Sequence, residues 1–140
     1  MSMLGAKDNE QHSYLEIAYA LAQHGASTED DMHELWRRIV FSIMIANTDD
    51  HLRNHGFIYE RQRGWRLSPA YDMNPTPVEV RPRVLTTAID FDNTEADIEI
   101  AKSVAKDFRL SKEQAEVIIK EVSKAVQNWH KVALDYGLSK

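Results

Sequence analysis

The strongest constraint on this chain is an unbroken apolar pattern that stops abruptly at a polar segment. Apolar side chains recur every three or four positions, the period of a helix with one buried face: Met32, Leu35, Trp36, Ile39, Val40, Ile43 and Met44. Three acids at 29–31 fall in its first turn, where the helix dipole favours anions. The pattern ends at Asn47, and residues 47–54 have no period. The sequence therefore predicts a buried helix that leads into a polar loop.

Capping signals predict further helices on both sides of this loop. Ser13 with Glu16, and Ser111 with Gln114, have the spacing of a capping box, in which each side chain bonds the other residue's backbone. Thr94 is the predicted N-cap of another helix between them. The predicted helices cover residues 13–25, 29–46, 94–108 and 112–134.

Short apolar segments predict a small amount of β-structure. Residues 56–59 and 65–67 flank a polar turn and are typical of a β-hairpin, and residues 84–88 are typical of one more short strand. Four prolines make residues 68–83 irregular. Large side chains at helical spacing are predicted to fill the core: Met32, Trp36, Met44 and Trp129. The predicted fold class is mainly α, a helical lobe with one small β-hairpin.

The composition is typical of a folded domain in a reducing compartment. The chain has 140 residues, of which 43% are hydrophobic and 28% charged, and we expect one domain over residues 1–140. It has no cysteine, which excludes disulfides, thiolate metal sites and cysteine nucleophiles. No apolar run is long enough to cross a membrane, and no signal peptide is visible, so we expect a cytoplasmic protein without a membrane partner.

The charge is unevenly distributed along the chain. The formal net charge is −5, yet six arginines fall within residues 51–83. A basic region of this kind suits a polyanion such as a nucleotide. The alternative is that Arg61, Arg63 and Arg66 only solvate the predicted hairpin.

The loop at 47–54 concentrates side chains that take part in catalysis and metal binding. Asp49 and Asn54 are five positions apart, as in the catalytic loop of protein kinases, where the Asp accepts a hydroxyl proton and the Asn holds a metal ion. Beyond the predicted hairpin, Asp72 adds a carboxylate, and such hard oxygen ligands suit Mg²⁺ beside phosphates. His51 can donate to a phosphate oxygen. The alternative is a polar turn whose side chains bond only the backbone.

Two segments carry a resemblance to a known family. Both closely resemble the HipA family of serine/threonine kinases: NTDDHLRN at 47–54 and WRLSPAYD at 65–72. HipA proteins are the toxins of bacterial toxin–antitoxin pairs. The segment SYLEIA at 13–18 is also similar to that family. The resemblance extends over essentially all 140 residues and implies the C-terminal lobe of a protein-kinase-like fold that uses ATP and Mg²⁺.

The resemblance implies a role for each matching residue. Asp49 matches the catalytic Asp that accepts the proton of the substrate hydroxyl, and Asn54 and Asp72 match the metal ligands. The implied nucleotide-binding residues are His51, Leu52, Arg53, Asn54, Tyr71 and Asp72.

The resemblance also implies what would complete the enzyme. Family members carry an N-terminal lobe with a phosphate-covering loop and a lysine that pairs with the phosphates. Within residues 1–48, Lys7 is the only lysine and no glycine-rich turn surrounds it. We therefore expect a C-terminal lobe alone, inactive by itself. The implied partners are a protein substrate and a HipB-like DNA-binding antitoxin, which would give only indirect contact with DNA.

Two other functions stay open at this point. One is a non-catalytic interaction or regulatory module that binds an antitoxin-like partner. The other is a phosphoinositide or small-molecule kinase lobe, because the D-x-H-x-x-N spacing is also similar to phosphoinositide kinases. The role of Asp50 is also open, since it either supports the site or caps the backbone. His55 is expected to pack at the start of the strand.

Overall fold

The computed structural model describes residues 10–76 and 84–137, and within these ranges the chain is mainly α-helical, as predicted. The helices are α1 (Tyr14–His24), α2 (Thr28–Ile45), α3 (Ile98–Ser103) and α4 (Lys112–Asp135). The strands are β1 (His12–Ser13), β2 (Phe57–Glu60), β3 (Gly64–Leu67) and β4 (Thr87–Ala88). Single 3₁₀ turns lie at Leu52–Asn54 and Ala105–Phe108.

Both predicted capping boxes are present. Ser13 N–H donates to Glu16 Oε1 at 3.1 Å, and the Ser13 side chain accepts from the first turn of α1. At α4, Ser111 Oγ accepts from Gln114 N–H at 3.1 Å, and Gln114 Oε1 accepts from Ser111 N–H at 2.9 Å. Each box pairs backbone donors that a first helical turn leaves without intrahelical partners. These two helices therefore begin where the sequence predicts.

The long helix α2 lies at the centre of the core. Its Leu35, Trp36 and Val40 side chains are fully buried, and the helix packs against α1, α3 and α4. Trp36 Nε1 donates to the Ala101 carbonyl at 3.0 Å, which fixes α3 against α2 while satisfying a buried donor. The helix that leads into the polar loop is thus held on three sides.

The first turn of α2 anchors the predicted β-hairpin. Strands β2 and β3 pair antiparallel, with Phe57 opposite Leu67. The buried Asp31 carboxylate accepts from Arg66 Nε and Nη2 at 2.9 and 3.0 Å, and from the Leu67 N–H at 2.9 Å. Arg66 is therefore a structural ion-pair partner rather than a residue that only solvates the hairpin.

The third helix is shorter than predicted. Its N-cap is Asp97, whose side chain accepts from the Glu99 N–H at 2.8 Å, and the helix ends at Ser103. Thr94 is not the cap, because its carbonyl accepts from the Leu85 N–H at 2.6 Å in an extended pairing. The predicted end near Phe108 is a separate 3₁₀ turn.

The core prediction holds for Met32 and Trp36 and is wrong for Trp129. Met32 and Trp36 are buried and Met44 packs partly buried against the core, whereas Trp129 is 53% exposed. The buried positions of α4 end at Val122, while its apolar spacing continues. Periodicity identifies one face of a helix, but it does not show how far along the helix the neighbouring elements extend.

The proline-rich segment has no helix or strand over residues 68–76, as predicted, and its remainder, 77–83, lies outside the described residues. Of the predicted strand at 84–88, the structure has only Thr87–Ala88, paired in parallel with His12–Ser13. No helix in the described part of the chain is long and apolar enough to cross a membrane.

We expect Asp31→Ala to lower the free energy of unfolding by about 2 kcal/mol, because the substitution leaves the Leu67 N–H unpaired and removes the carboxylate partner of Arg66. Denaturant unfolding monitored by circular dichroism measures this loss. The matched control is Asp30→Ala, which removes an exposed acid from the same helical turn. Equal losses in the two variants would contradict the anchoring role of Asp31.

Candidate active site

The polar loop begins where α2 is forced to end. Ala46 adopts a left-handed backbone with φ of 56°, a conformation that L-residues rarely occupy. The Asn47 N–H then donates to the Ser42 carbonyl at 2.8 Å, which closes the last turn of the helix. The chain leaves the helix at this point, and the side chains of the next residues project from a loop whose starting point is fixed by the core.

Two threonines, Thr86 just before β4 and Thr87 within it, hold the backbone of the polar loop. The Thr86 N–H and hydroxyl both donate to the Thr48 carbonyl, at 3.0 and 2.9 Å. The Thr87 hydroxyl donates to the Asp50 carbonyl at 2.6 Å. These bonds fix the backbone immediately before and after Asp49.

Two adjacent acids in the loop have opposite surroundings. Asp49 is exposed, whereas Asp50 is only 3% exposed. The Asp50 carboxylate accepts from the Tyr14 hydroxyl at 2.5 Å and from His55 Nε2 at 2.9 Å. The Tyr14 and His55 rings meet edge to face, with centroids 5.8 Å apart. Asp50 therefore supports the loop from inside, while His55 both packs and forms a hydrogen bond.

Burial and hydrogen bonding have opposite effects on the pKa of Asp50. Burial alone raises the pKa of Asp50, but the hydrogen bond and electrostatic attraction of His55, together with the Tyr14 hydroxyl, outweigh it and lower the pKa below its usual value. Burial, followed by the neighbouring Asp50 charge, raises the pKa of Tyr14 well above its usual value. Asp50 is thus held as the anion and Tyr14 as the hydroxyl donor.

The loop closes with a 3₁₀ turn that brings Asn54 back toward Asp49. The Asn54 N–H donates to the His51 carbonyl at 2.8 Å, and Asn54 Nδ2 lies 3.4 Å from the Asp49 carbonyl. The Asn54 side chain is buried, with its amide nitrogen toward the Asp49 carbonyl. The two residues of the kinase-like spacing therefore lie close together on one loop.

The segment after the hairpin returns to this loop and carries Asp72. The Tyr71 hydroxyl donates to the Arg53 carbonyl at 2.6 Å, and the Thr76 N–H donates to the Ala46 carbonyl at 2.9 Å. Asp72 lies between these two attachments, exposed, with a left-handed φ of 57°. Its Oδ1 accepts from Asn74 Nδ2 at 3.1 Å. The structure thus attaches the segment that carries Asp72 to the polar loop on both sides of this residue.

The remaining predicted nucleotide-binding residues differ in exposure. Arg53 is exposed and His51 half-buried, and the Nδ1 atom of His51 is buried without a hydrogen-bond partner. Leu52 is buried and belongs to the hydrophobic core. Tyr71 is 47% exposed, with its hydroxyl engaged by the loop. These residues share one region, and their roles toward a nucleotide stay predictions.

The oxygen ligands here fit a metal that is shared with a phosphate ligand. Among the described residues, no group of three or more His, Asp or Glu side chains could hold a metal ion by itself. Asp72 offers an exposed carboxylate, and Asn54 offers an amide oxygen. Mg²⁺ is commonly bound by one or two such groups, with phosphates and water completing its octahedron. The donor set therefore fits Mg²⁺ only together with a nucleotide.

The residues that sequence reasoning missed are those that support the loop from other elements. Tyr14 begins α1, and Thr86 and Thr87 lie near or in β4, so each is far along the chain from the loop residue that it bonds. Tyr14 lies in the SYLEIA segment that resembles the family, but neither that segment nor the residues around Thr86 and Thr87 indicate a contact with the loop. The one signal in the sequence was Asp50, for which a role in supporting the site was left open beside a capping role.

The chain belongs to the family described as HipA-like C-terminal domain, whose pattern it matches over residues 1–129. This match confirms the resemblance seen in the sequence. No solved structure gives a significant match.

Two curated proteins are similar to about half of the chain. "Putative kinase" of Haemophilus influenzae is 41% identical over 66 residues, which are 46% of this chain and 19% of that protein. "Putative kinase Y4dM" of Sinorhizobium fredii is 39% identical over 72 residues, 51% of this chain and 17% of that protein. The matched segments thus span less than a fifth of either relative's length. Both relatives carry the name of a kinase.

Proposed function

We propose that this chain is the catalytic C-terminal lobe of a HipA-like serine/threonine protein kinase, which transfers phosphate from ATP to a protein hydroxyl in the cytoplasm. The observation that carries the proposal is the return of the 71–76 segment to the loop, where Tyr71 bonds Arg53 and Thr76 bonds Ala46. This return brings the segment that carries Asp72 to the loop that carries the exposed Asp49 and the buried Asn54. Phosphoryl transfer requires its proton acceptor and metal ligands in one region, which supports the proposal.

Each residue of the region has a separate task in this proposal. The exposed Asp49 carboxylate orients the substrate hydroxyl and accepts its proton as the oxygen attacks the γ-phosphorus and the bond to ADP breaks. Asn54 and Asp72 hold Mg²⁺, which neutralises charge on the phosphates when bound. His51 and Arg53 lie on the same loop and can donate to phosphate oxygens. Tyr71 lines the nucleotide, while Leu52 anchors the loop in the hydrophobic core.

The partners follow from the family resemblance. The substrate would be a protein with a reactive hydroxyl, and the proposed regulator is a HipB-like DNA-binding antitoxin in a toxin–antitoxin pair. DNA contact would then come through the antitoxin. An N-terminal lobe would supply the phosphate-covering loop and the lysine that residues 1–48 do not offer.

We expect the purified 140-residue chain to show negligible ATP-dependent phosphorylation of itself or of added protein. ATP would be held only by metal and loop contacts, without the positioning that phosphoryl transfer needs. Transfer of ³²P from labelled ATP measures this activity. The comparison is a fusion kinase, in which this chain is joined to the N-terminal lobe of a HipA family kinase.

Two outcomes would contradict this proposal. Substantial transfer by the isolated chain would show that no second lobe is needed. A folded fusion kinase that binds no nucleotide would argue against the catalytic lobe itself.

A second candidate function, an interaction module, is favoured by the end of α4. Apolar side chains are exposed along its last two turns and at its C-cap: Trp129, Val132, Leu134 and Tyr136. Such a patch is common at protein contacts. A chain that binds an antitoxin-like protein, while its fusion kinase stays inactive, would support this function over catalysis.

A further inference from the structure

We propose that Tyr14 is a positioning residue for the candidate active-site loop, and that it acts through the buried carboxylate of Asp50. The first ground is burial. Tyr14 is 0% exposed and Asp50 3% exposed, so neither side chain is open to direct contact with a substrate. A buried carboxylate is tolerated only when donors satisfy it, and its donors then fix its place closely.

The second ground is that two donors from different parts of the chain meet at one oxygen of Asp50. Oδ2 of Asp50 accepts from the Tyr14 hydroxyl and also from His55 Nε2. His55 directly follows Asn54, so its bond to Asp50 closes a ring over residues 50–55. This ring contains the whole 3₁₀ turn that presents Asn54. A shift of Asp50 would therefore shift Asn54 as well.

The third ground is that the contacts to Asp50 come from one platform, the paired strands β1 and β4 with the adjoining Tyr14. Tyr14 directly follows β1, which pairs with β4, and the pairing aligns His12 with Thr87. Thr87 itself donates to the Asp50 carbonyl. Side chain and backbone of Asp50 are thus both tied to one strand pair. Through Asp50, this platform sets where the exposed Asp49 and the metal-ligand candidate Asn54 lie.

The test uses Tyr14→Phe in the full 140-residue chain, because phenylalanine keeps the ring and removes only the hydroxyl. The matched control is Tyr19→Phe, which makes the same change at a 65% exposed position of the same helix. Two readouts are taken at a temperature where both variants are folded by circular dichroism. One is hydrogen exchange of the Asn54 and His55 amides by NMR. The other is Mn²⁺ broadening of Asn54 signals in the presence of a non-hydrolysable ATP analogue.

In Tyr14→Phe we expect Asn54 and His55 amide exchange to accelerate about tenfold, since a hydrogen bond to a charged group is lost. We expect the apparent affinity for Mn²⁺ with nucleotide to fall about tenfold, the size typical for groups that orient metal ligands. Tyr19→Phe should change neither. Amides in α4, such as that of Ala115, should exchange as in the original chain. Asp50→Asn, which keeps an acceptor for Tyr14, should weaken metal binding less than Asp50→Ala.

Two outcomes overturn the positioning role: unchanged exchange at Asn54, or equal acceleration in the loop and in α4, which would mean general destabilisation. Local acceleration with unchanged Mn²⁺ affinity would also overturn the link to the metal site. The Mn²⁺ readout rests on the proposed function, whereas the exchange readout does not. If the original chain shows no Mn²⁺ effect at Asn54, the proposed metal site fails, and the exchange data still decide the role of Tyr14.

Discussion

Asp49→Asn is expected to lower phosphate transfer by the fusion kinase about a thousandfold, within the range by which a positioned general base accelerates a reaction. An amide cannot accept the proton of the substrate hydroxyl. It can occupy the same exposed position, because Thr86 and Thr87 hold the backbone on both sides of residue 49. Binding of Mg²⁺ and nucleotide should therefore stay within about twofold, so that the loss falls on kcat. Single-turnover transfer and calorimetric binding measure the two effects separately.

The control for this variant is Asp92→Asn, a substitution of an exposed acid in the loop between β4 and α3. It should transfer phosphate at the original rate. Retained turnover in Asp49→Asn would assign the proton acceptor to another group. Loss of nucleotide binding in the same variant would make Asp49 a ligand rather than a base.

Asp72→Asn is expected to weaken Mg²⁺-dependent nucleotide binding at least about tenfold, since even groups that only orient metal ligands cost about that much when removed. The substitution removes a charge from the side chain that lies between the Tyr71 and Thr76 attachments. Nucleotide binding measured in EDTA should not change, because the metal-independent contacts stay. Titration calorimetry of the fusion kinase, with and without Mg²⁺, gives both values.

Asp92→Asn again serves as the control and should bind nucleotide as the original fusion kinase does in both conditions. An equal loss of affinity with and without Mg²⁺ would mean that Asp72→Asn disturbs the segment rather than the metal. An unchanged affinity in Mg²⁺ would remove Asp72 from the metal site.

Local sequence signals predicted the elements whose ends are decided locally. The boxes at Ser13 and Ser111 each pair residues three apart, so the start of α1 and of α4 could be predicted from the sequence alone. The start of α3 could not, because Thr94 and Asp97 are both good caps. A bond from distant Leu85 to the Thr94 carbonyl decides between them. Tertiary contacts therefore overrode a local preference there.

The candidate site shows the same division. The spacing of Asp49 and Asn54 was visible in the sequence, since both belong to one short loop. The return of Asp72 was predicted from the hairpin, but the bonds that attach its segment to the loop join Tyr71 with Arg53 and Thr76 with Ala46. The support of Asp50 by Tyr14 spans 36 positions, which no periodic pattern encodes. The candidate catalytic side chains were thus easier to predict than the contacts that hold their loop in place.

The parallel pair of β1 and β4 has a consequence for the order of folding. It joins His12 with Thr87, about 75 residues apart, whereas the β-hairpin and the capping boxes need only near neighbours. Loop closure over so long a segment costs entropy before any contact repays it, so such pairings form late. Because Thr87 and Tyr14 fix the loop from this pair, the residues proposed for catalysis would acquire their arrangement last, after the helices have packed.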